Sequence, residues 1–194
     1  MMLKEYQQMI NDALNTVDEL IVKRVNESLE LCYERRYPVL VIGNGGSAAI
    51  GDHWSCDHMK GVREDTGRFA DVRNLGSNMA VMTAISNDIG YDEVFARQIK
   101  WCSSDFALVV AISSSGSSPN IVKGLKQARE EEFATVALVG FDGGKVLKER
   151  LADHIIHVNA NNYGVVEDCH QIIMHTLAQN IRKKKCKDPS ILKL

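Results

Sequence analysis

Residues 38–60 read P-V-L-V-I-G-N-G-G-S-A-A-I-G-D-H-W-S-C-D-H-M-K, and this stretch decides the fold. The run 39–42 is aliphatic and mostly β-branched, too short for a helix, and Gly43, Gly45 and Gly46 break it at once; it reads as a buried parallel strand. Ser47 is placed to cap a following helix with its side-chain oxygen. Ala48, Ala49 and Ile50 then begin that helix without bulk beside the loop. Glycines let backbone N–H groups approach an anion above the positive end of a helix dipole, so a phosphate-sized ligand is the natural guest. A tight strand-to-helix turn also uses glycine for geometry alone, so the turn needs support from the rest of the chain.

Outward from this unit the same pattern recurs. F-A-L-V-V-A-I at 106–112 is a second apolar strand, running into S-S-S-G-S-S-P-N and a helix over 121–131. A third strand, 134–139, is ended by G-F-D-G-G and followed by a short helix over 145–150. A weaker fourth, 154–158, precedes a closing helix over 165–184 with Ile172, Ile173, Leu177 and Ile181 turned inward. Between the first two strands, 61–74 is polar and charged. Ser77 or Asn78 can cap a helix to 86, Asn87-Asp88 breaks it, and 91–101 is a further helix with Val94, Phe95, Gln98 and Ile99 inside. Residues 3–36 lack Gly and Pro and carry apolar residues from Leu3 to Leu31 near helical spacing, giving one long helix or two. That stripe packs on another subunit or folds back on its own sheet.

Strands apolar on both faces and alternating with helices define an α/β protein with a doubly wound parallel sheet flanked by helices. The expected layout is one domain over 1–194: a helical segment 1–36, an α/β core 37–184 and a tail 185–194. In such sheets ligands sit beyond the carboxyl ends of the strands, which brings the loops at 43–47 and 113–120 to one edge.

Composition excludes several classes. With 45% apolar and 25% charged residues the chain is an ordinary globular one. Its 23 basic and 25 acidic residues supply no field for nucleic acid. The basic run 182–187 reads as a solvated helix end. Five scattered cysteines without a C-x-x-C pair argue for reduced thiols and a cytoplasmic protein. Charges within the first twenty residues exclude a signal peptide or a membrane span there.

Two groups could do chemistry. Ser113, Ser114, Ser115 and Ser118, with Gly116 and the next helix's N–H groups, offer uncharged donors to one anion, as suits a phosphate ester held reversibly. A nucleotide is disfavoured, because no G-x-x-x-x-G-K-[ST] is present and G-N-G-G-S is not G-x-G-x-x-G. His53 and Asp57 are four apart on the first core helix, and Glu167, His170 and His175 lie on the last. Taken singly, each histidine is more often structural. Two carboxylates and two imidazoles together make either a zinc or other divalent site or an acid/base pair for moving protons.

Taken together, G-N-G-G-S at 43–47, N-D-I-G-Y at 87–91, S-S-S-G-S-S at 113–118 and the paired His/acid positions resemble the sugar isomerase (SIS) domain. Within it they resemble the phosphoheptose isomerase family, from the N-terminal helix to about Lys184. The resemblance implies a homotetramer with active sites at subunit interfaces, converting sedoheptulose 7-phosphate to D-glycero-D-manno-heptose 7-phosphate, or its α or β anomer, through an enediol. It places Asn44, Gly45, Gly46, Ser47, Asn87 and Asp88 on the substrate and Ser113, Ser114, Ser115 and Ser118 on its phosphate. It makes His53, Asp57, Glu167 and His175 ligands of a divalent metal, zinc by expectation, with Asp57 and His175 catalytic and Asp57 and Glu167 also touching substrate. Asp57 stands where the family has Glu and is one methylene shorter; Glu167 stands where it has Gln and adds an anionic ligand. A catalytically silent SIS protein bound to a partner such as a replication initiator, and a sugar-phosphate sensor, are the alternatives.

Overall fold

The computed structural model of the protein describes residues 1–186, 188, 190 and 192. The remaining positions of the expected tail lie outside the described residues. Two helices open the chain, α1 (Leu3–Leu14) and α2 (Glu19–Arg35). Asp18 divides them, because its side chain accepts from the Leu20 amide at 2.8 Å and so starts a new helix. β1 (Val39–Gly43) leads into α3 (Gly46–Cys56), which continues through a π-helical segment, Asp57–Val62, into α4 (Arg63–Thr66). Then follow β2 (Val72–Asn74), α5 (Met79–Asp88), a 3₁₀ turn (Tyr91–Glu93), α6 (Val94–Lys100), β3 (Leu108–Ser113) and α7 (Pro119–Glu130). β4 (Ala134–Val139), α8 (Gly144–Lys148), β5 (His154–His157) and α9 (Tyr163–Lys185) complete the described elements.

All strand pairs are parallel and the sheet order is β2-β1-β3-β4-β5. Alternation along each strand divides the core into two layers. Val39, Val41, Leu108, Val110 and Ile112 face α2, α3 and α9, where Val25, Leu29, Trp54, Val166 and Leu177 are buried. Leu40, Ile42, Val109 and Ala111 face the other way onto Ile85, Phe95, Ile99, Ile121 and Leu125, carried by α5, α6 and α7. The N-terminal stripe thus folds back on its own sheet and on α9, while Leu3, Leu20 and Leu31 stay exposed.

The structure corrects several local expectations. α3 starts at Gly46 with Gly45 as its cap residue at φ 53°, a left-handed value that glycine adopts without strain; Ser47 lies buried inside the first turn. Asn87 and Asp88 end α5 rather than break it at 86. β2 sits in a stretch read as polar, because it is three residues long and Arg73 is exposed. Ile172 is partly exposed, in a groove of about 790 Å³ between α2 and α9. The basic end of α9 is ion-paired, with Lys184 and Lys185 on Glu30 at 2.9 and 3.1 Å and Arg182 on Asp65 at 2.5 Å; Lys187 lies outside the described residues. No helix among the described residues is long and apolar enough to cross a membrane.

Candidate active site

From β1 the chain moves outward to β2 and then returns to β3 on the other side of β1, so the switch point of the sheet lies between β1 and β3. The glycine loop and the serine loop meet there. Their junction is a pair of asparagines. The Ile121 N–H donates to Asn120 Oδ1 at 3.0 Å, and the same oxygen accepts from Asn44 Nδ2 at 2.9 Å. In return Asn120 Nδ2 donates to Asn44 Oδ1 at 2.8 Å, which takes a second bond from the Tyr91 hydroxyl at 2.9 Å. A backbone donor therefore fixes which end of Asn120 is oxygen, and Asn120 in turn fixes Asn44. One N–H of Asn44 is left over for the cavity its residue lines.

That cavity, about 150 Å³, is lined by Asn44, Ser47, Ile112, Ser113, Ser114, Ser115, Ser118, Tyr163 and Glu167. The Ser114 hydroxyl is buried and has no hydrogen-bond partner among the described residues. Leaving such a group unpaired costs about 1–3 kcal/mol, so an acceptor entering the cavity is favoured there. Ser118 is the cap residue of α7 and Pro119 its first residue, so the N-terminal amides of α7 open toward the serine loop. Asn87 and Asp88 do not line the cavity; Asn87 Nδ2 donates to Asp88 Oδ1 at 2.8 Å, and the Tyr91 hydroxyl is the contact from this segment to the glycine loop.

Glu167, Gln171 and His175 are four apart on α9 and form one stripe against α3. Glu167 presses on Gly46: a Cβ built there would lie 2.6–2.8 Å from its carboxylate atoms, so position 46 accepts only glycine while Glu167 stays in place. One turn on, the Gln171 carboxamide nitrogen lies 3.0 Å from His53 Nδ1 and 3.1 Å from His175 Nε2. At the end of the stripe Asp57 Oδ1 is 3.5 Å from His53 Nε2 and Asp57 Oδ2 is 3.5 Å from His175 Nε2. The two imidazoles meet edge to face at 4.9 Å between centroids.

His53, Asp57 and His175 each bring one ligand atom within 4.8 Å of the others. Two imidazoles and a carboxylate are a donor set that suits zinc and similar divalent ions. Tetrahedral bonds of about 2.0–2.2 Å put ligand atoms about 3.3–3.6 Å apart; each imidazole stands 3.5 Å from a different oxygen of Asp57, so the group closes slightly to hold one ion. Glu167 is not a member of this group: it belongs to the serine cavity. Asp57 is the first residue of the π-helical segment, a rare geometry common at functional sites. The side chains of His53, Asp57 and His175 are 48%, 31% and 38% exposed, so the cluster opens outward from this one chain.

The other two histidines near these helices are structural. His58 is wholly buried, stacked on Trp54, with Nδ1 at 2.6 Å from the Tyr33 hydroxyl, and burial pushes its pKa down to about 3. His170 is buried on the inner side of α9 and burial lowers its pKa to about 4.

Comparison with known proteins agrees with this geometry. The SIS domain family model matches residues 5–140. A probable phosphoheptose isomerase of Thermoplasma volcanium is 32% identical over 185 residues, covering 92% of this chain and 90% of its own. The phosphoheptose isomerase of Aliarcobacter butzleri is 34% identical, covering 91% of both chains. The structure of a phosphoheptose isomerase from Neisseria gonorrhoeae superposes with a TM-score of 0.81 at 26% identity, covering 93% of this chain and 94% of that one.

Proposed function

The chain belongs to the phosphoheptose isomerases of the SIS domain family, and from that premise we propose how its residues carry out an aldose–ketose isomerisation of sedoheptulose 7-phosphate. The observation that carries the reading is the shared stripe on α9, with Glu167 in the serine cavity at one end and His175 in the His/Asp cluster at the other. Eight residues of ideal helix span about 12 Å. An extended sugar phosphate can therefore rest its ester in the cavity and bring its carbonyl end to the cluster.

Ser113, Ser114, Ser115, Ser118 and the α7 amides hold the phosphate, and Asn44 donates its remaining N–H to a substrate oxygen. The Asp57 carboxylate takes the proton from the carbon beside the carbonyl, giving the enediol, and returns it to the neighbouring carbon. His175 Nε2, 3.5 Å from Asp57 Oδ2, moves the second proton between the two oxygens. A divalent metal, which we take to be zinc, would be held by His53, Asp57 and His175 and would polarise the carbonyl oxygen in place of that proton transfer, since a ring nitrogen bound to a metal carries no proton. Glu167 holds substrate hydroxyls, and Gly45, Gly46 and Ser47 shape the loop beneath them. Asn87 and Asp88 are assigned to substrate as well, as part of a homotetramer whose interfaces complete the outward-facing clusters. The groove between α2 and α9, lined by Val17, Val22 and the exposed Ile172, supports that assembly. Unpaired cysteines support a cytoplasmic setting.

Steady-state kinetics on sedoheptulose 7-phosphate test the roles. Asp57→Asn and His175→Gln are each expected to lower kcat by about 10²–10⁴-fold. Ser115→Ala is expected to raise KM by about 3–10-fold with kcat nearly unchanged, the worth of one neutral hydrogen bond. Parental kcat in both cluster variants would refute the assignment.

A further inference from the structure

We infer that the Tyr163 hydroxyl donates to the phosphate of the substrate, and that Phe141 is the positioning residue that holds the Tyr163 ring for it. Tyr163 opens α9 and stands four residues before Glu167, so it adds one turn to the stripe that carries Glu167 and His175. Tyr163 and Glu167 both line the serine cavity. His175 lies about 18 Å further along an ideal helix, so Tyr163 serves the ester and not the carbonyl end.

Three observations converge on that hydroxyl. Among the described residues no lysine or arginine lines the cavity and Glu167 is its one charged group, so an ester anion rests on neutral donors alone. The buried Ser114 hydroxyl, without a partner among the described residues, marks the cavity as a place for an acceptor. Tyr163 is 61% exposed, and its hydroxyl makes no hydrogen bond among the described residues. A phenol, with an ordinary pKa of about 10, is a more acidic donor than a serine alcohol and suits an anion with no cation beside it.

The ring is held from behind. Phe141 packs on it at 4.7 Å between centroids, with 59° between the planes. It does so from φ 49°, a left-handed backbone that a bulky residue keeps only under constraint. Two bonds supply the constraint: the Phe141 N–H donates to the Ala160 carbonyl at 3.1 Å, and the Phe141 carbonyl accepts from His157 Nε2 at 2.8 Å. The same loop after β4 braces the serines, because the Gly140 N–H donates to the Ser114 carbonyl at 2.8 Å and the Val146 N–H to the Gly116 carbonyl at 2.9 Å. One loop thus sets the phenol and the serine hydroxyls around one anion.

The test titrates inorganic phosphate into metal-stripped, full-length protein, followed by ³¹P NMR linewidth, and measures KM for sedoheptulose 7-phosphate on the zinc-loaded form. Tyr163→Phe, which keeps the ring and removes the hydroxyl, is expected to weaken phosphate about 3–10-fold and to raise KM by the same factor. Phe141→Gly, which keeps the left-handed backbone and removes the prop, is expected to weaken phosphate about 3–10-fold in the parent and to add less than about twofold to Tyr163→Phe. Thermal unfolding midpoints control for the fold of each variant. Parental phosphate affinity in Tyr163→Phe, a rise in KM without that loss, additive losses in the double variant, or a parent that takes up no phosphate each overturns the inference. The inference rests on the proposed isomerase only for the identity of the sugar behind the ester: a parent that holds phosphate through Tyr163 yet isomerises nothing would remove the function and leave this assignment standing.

Discussion

His58 couples the fold to pH. Its ring is sealed between Trp54 and Tyr33, and its pKa lies at about 3; His170 follows at about 4. In the unfolded chain both titrate near 6.5. Below that pH the unfolded state binds protons that the native state refuses, so stability is full above about 6.5 and falls as pH drops toward 4, at about 1.4 kcal/mol per pH unit per histidine. Denaturant midpoints measured in chelator between pH 6.5 and 5 are expected to fall accordingly. In His58→Gln, which keeps an acceptor for the Tyr33 hydroxyl but cannot titrate, the slope should drop by about half; an unchanged slope would contradict the burial argument. The same scale shows what a sequence conceals. His53, Asp57, His175 and the serines announce themselves by residue type and spacing. Gln171 and Asn120 do not, because an amide carries no motif; the four-residue spacing of 167, 171 and 175 is the one signal that would have placed Gln171 on the face of His175.

Between elements, the amide pair of Asn44 and Asn120 joins the loop after β1 to the start of α7, and the 3₁₀ turn reaches it through Tyr91. Lys123 on α7 holds that turn by pairing with Asp92 at 2.6 Å and Glu93 at 2.7 Å. Asn120→Asp places an oxygen against Asn44 Oδ1 and is expected to lower kcat/KM by at least about tenfold, while Tyr91→Phe raises KM about 2–5-fold. A double-mutant cycle separates positioning from general destabilisation. If Asn120 acts through Asn44, adding Asn120→Asp to Asn44→Ala changes the kinetics little; additive losses would reject the coupling. Elements with long apolar runs were legible: β1, β3 and β4 stand within two residues of their expected bounds. β2 was hidden because three edge residues with one side chain in solvent leave no run. The cap of α3 was misplaced because Gly45, rather than a hydroxyl side chain, makes the turn.

At the scale of the molecule, strand–helix alternation was enough to bring the glycine and serine loops to the carboxyl edge of a sheet buried on both faces, whereas the β1/β3 switch point was not readable, because β2 left no apolar run. How α3 and α9 lie against each other was not, since that contact depends on packing across the sheet face between residues more than a hundred positions apart. It is this contact that sets the His/Asp cluster and the serine cavity along one stripe of α9, about 12 Å apart. The outward exposure of the cluster and the α2–α9 groove predict an assembled particle, and light scattering behind size exclusion should return four times the 21.6 kDa chain mass. A monomer with full activity would show that one chain holds a complete site.

The most direct measurement follows solvent deuterium into substrate. Purified, zinc-loaded protein is incubated with sedoheptulose 7-phosphate in D₂O, and the protons on the carbons flanking the carbonyl are monitored by NMR. The enediol mechanism predicts deuterium at those carbons together with heptose 7-phosphate, both lost in Asp57→Asn. Unexchanged protons and no aldose product, with this and other five- to seven-carbon ketose phosphates, would contradict it.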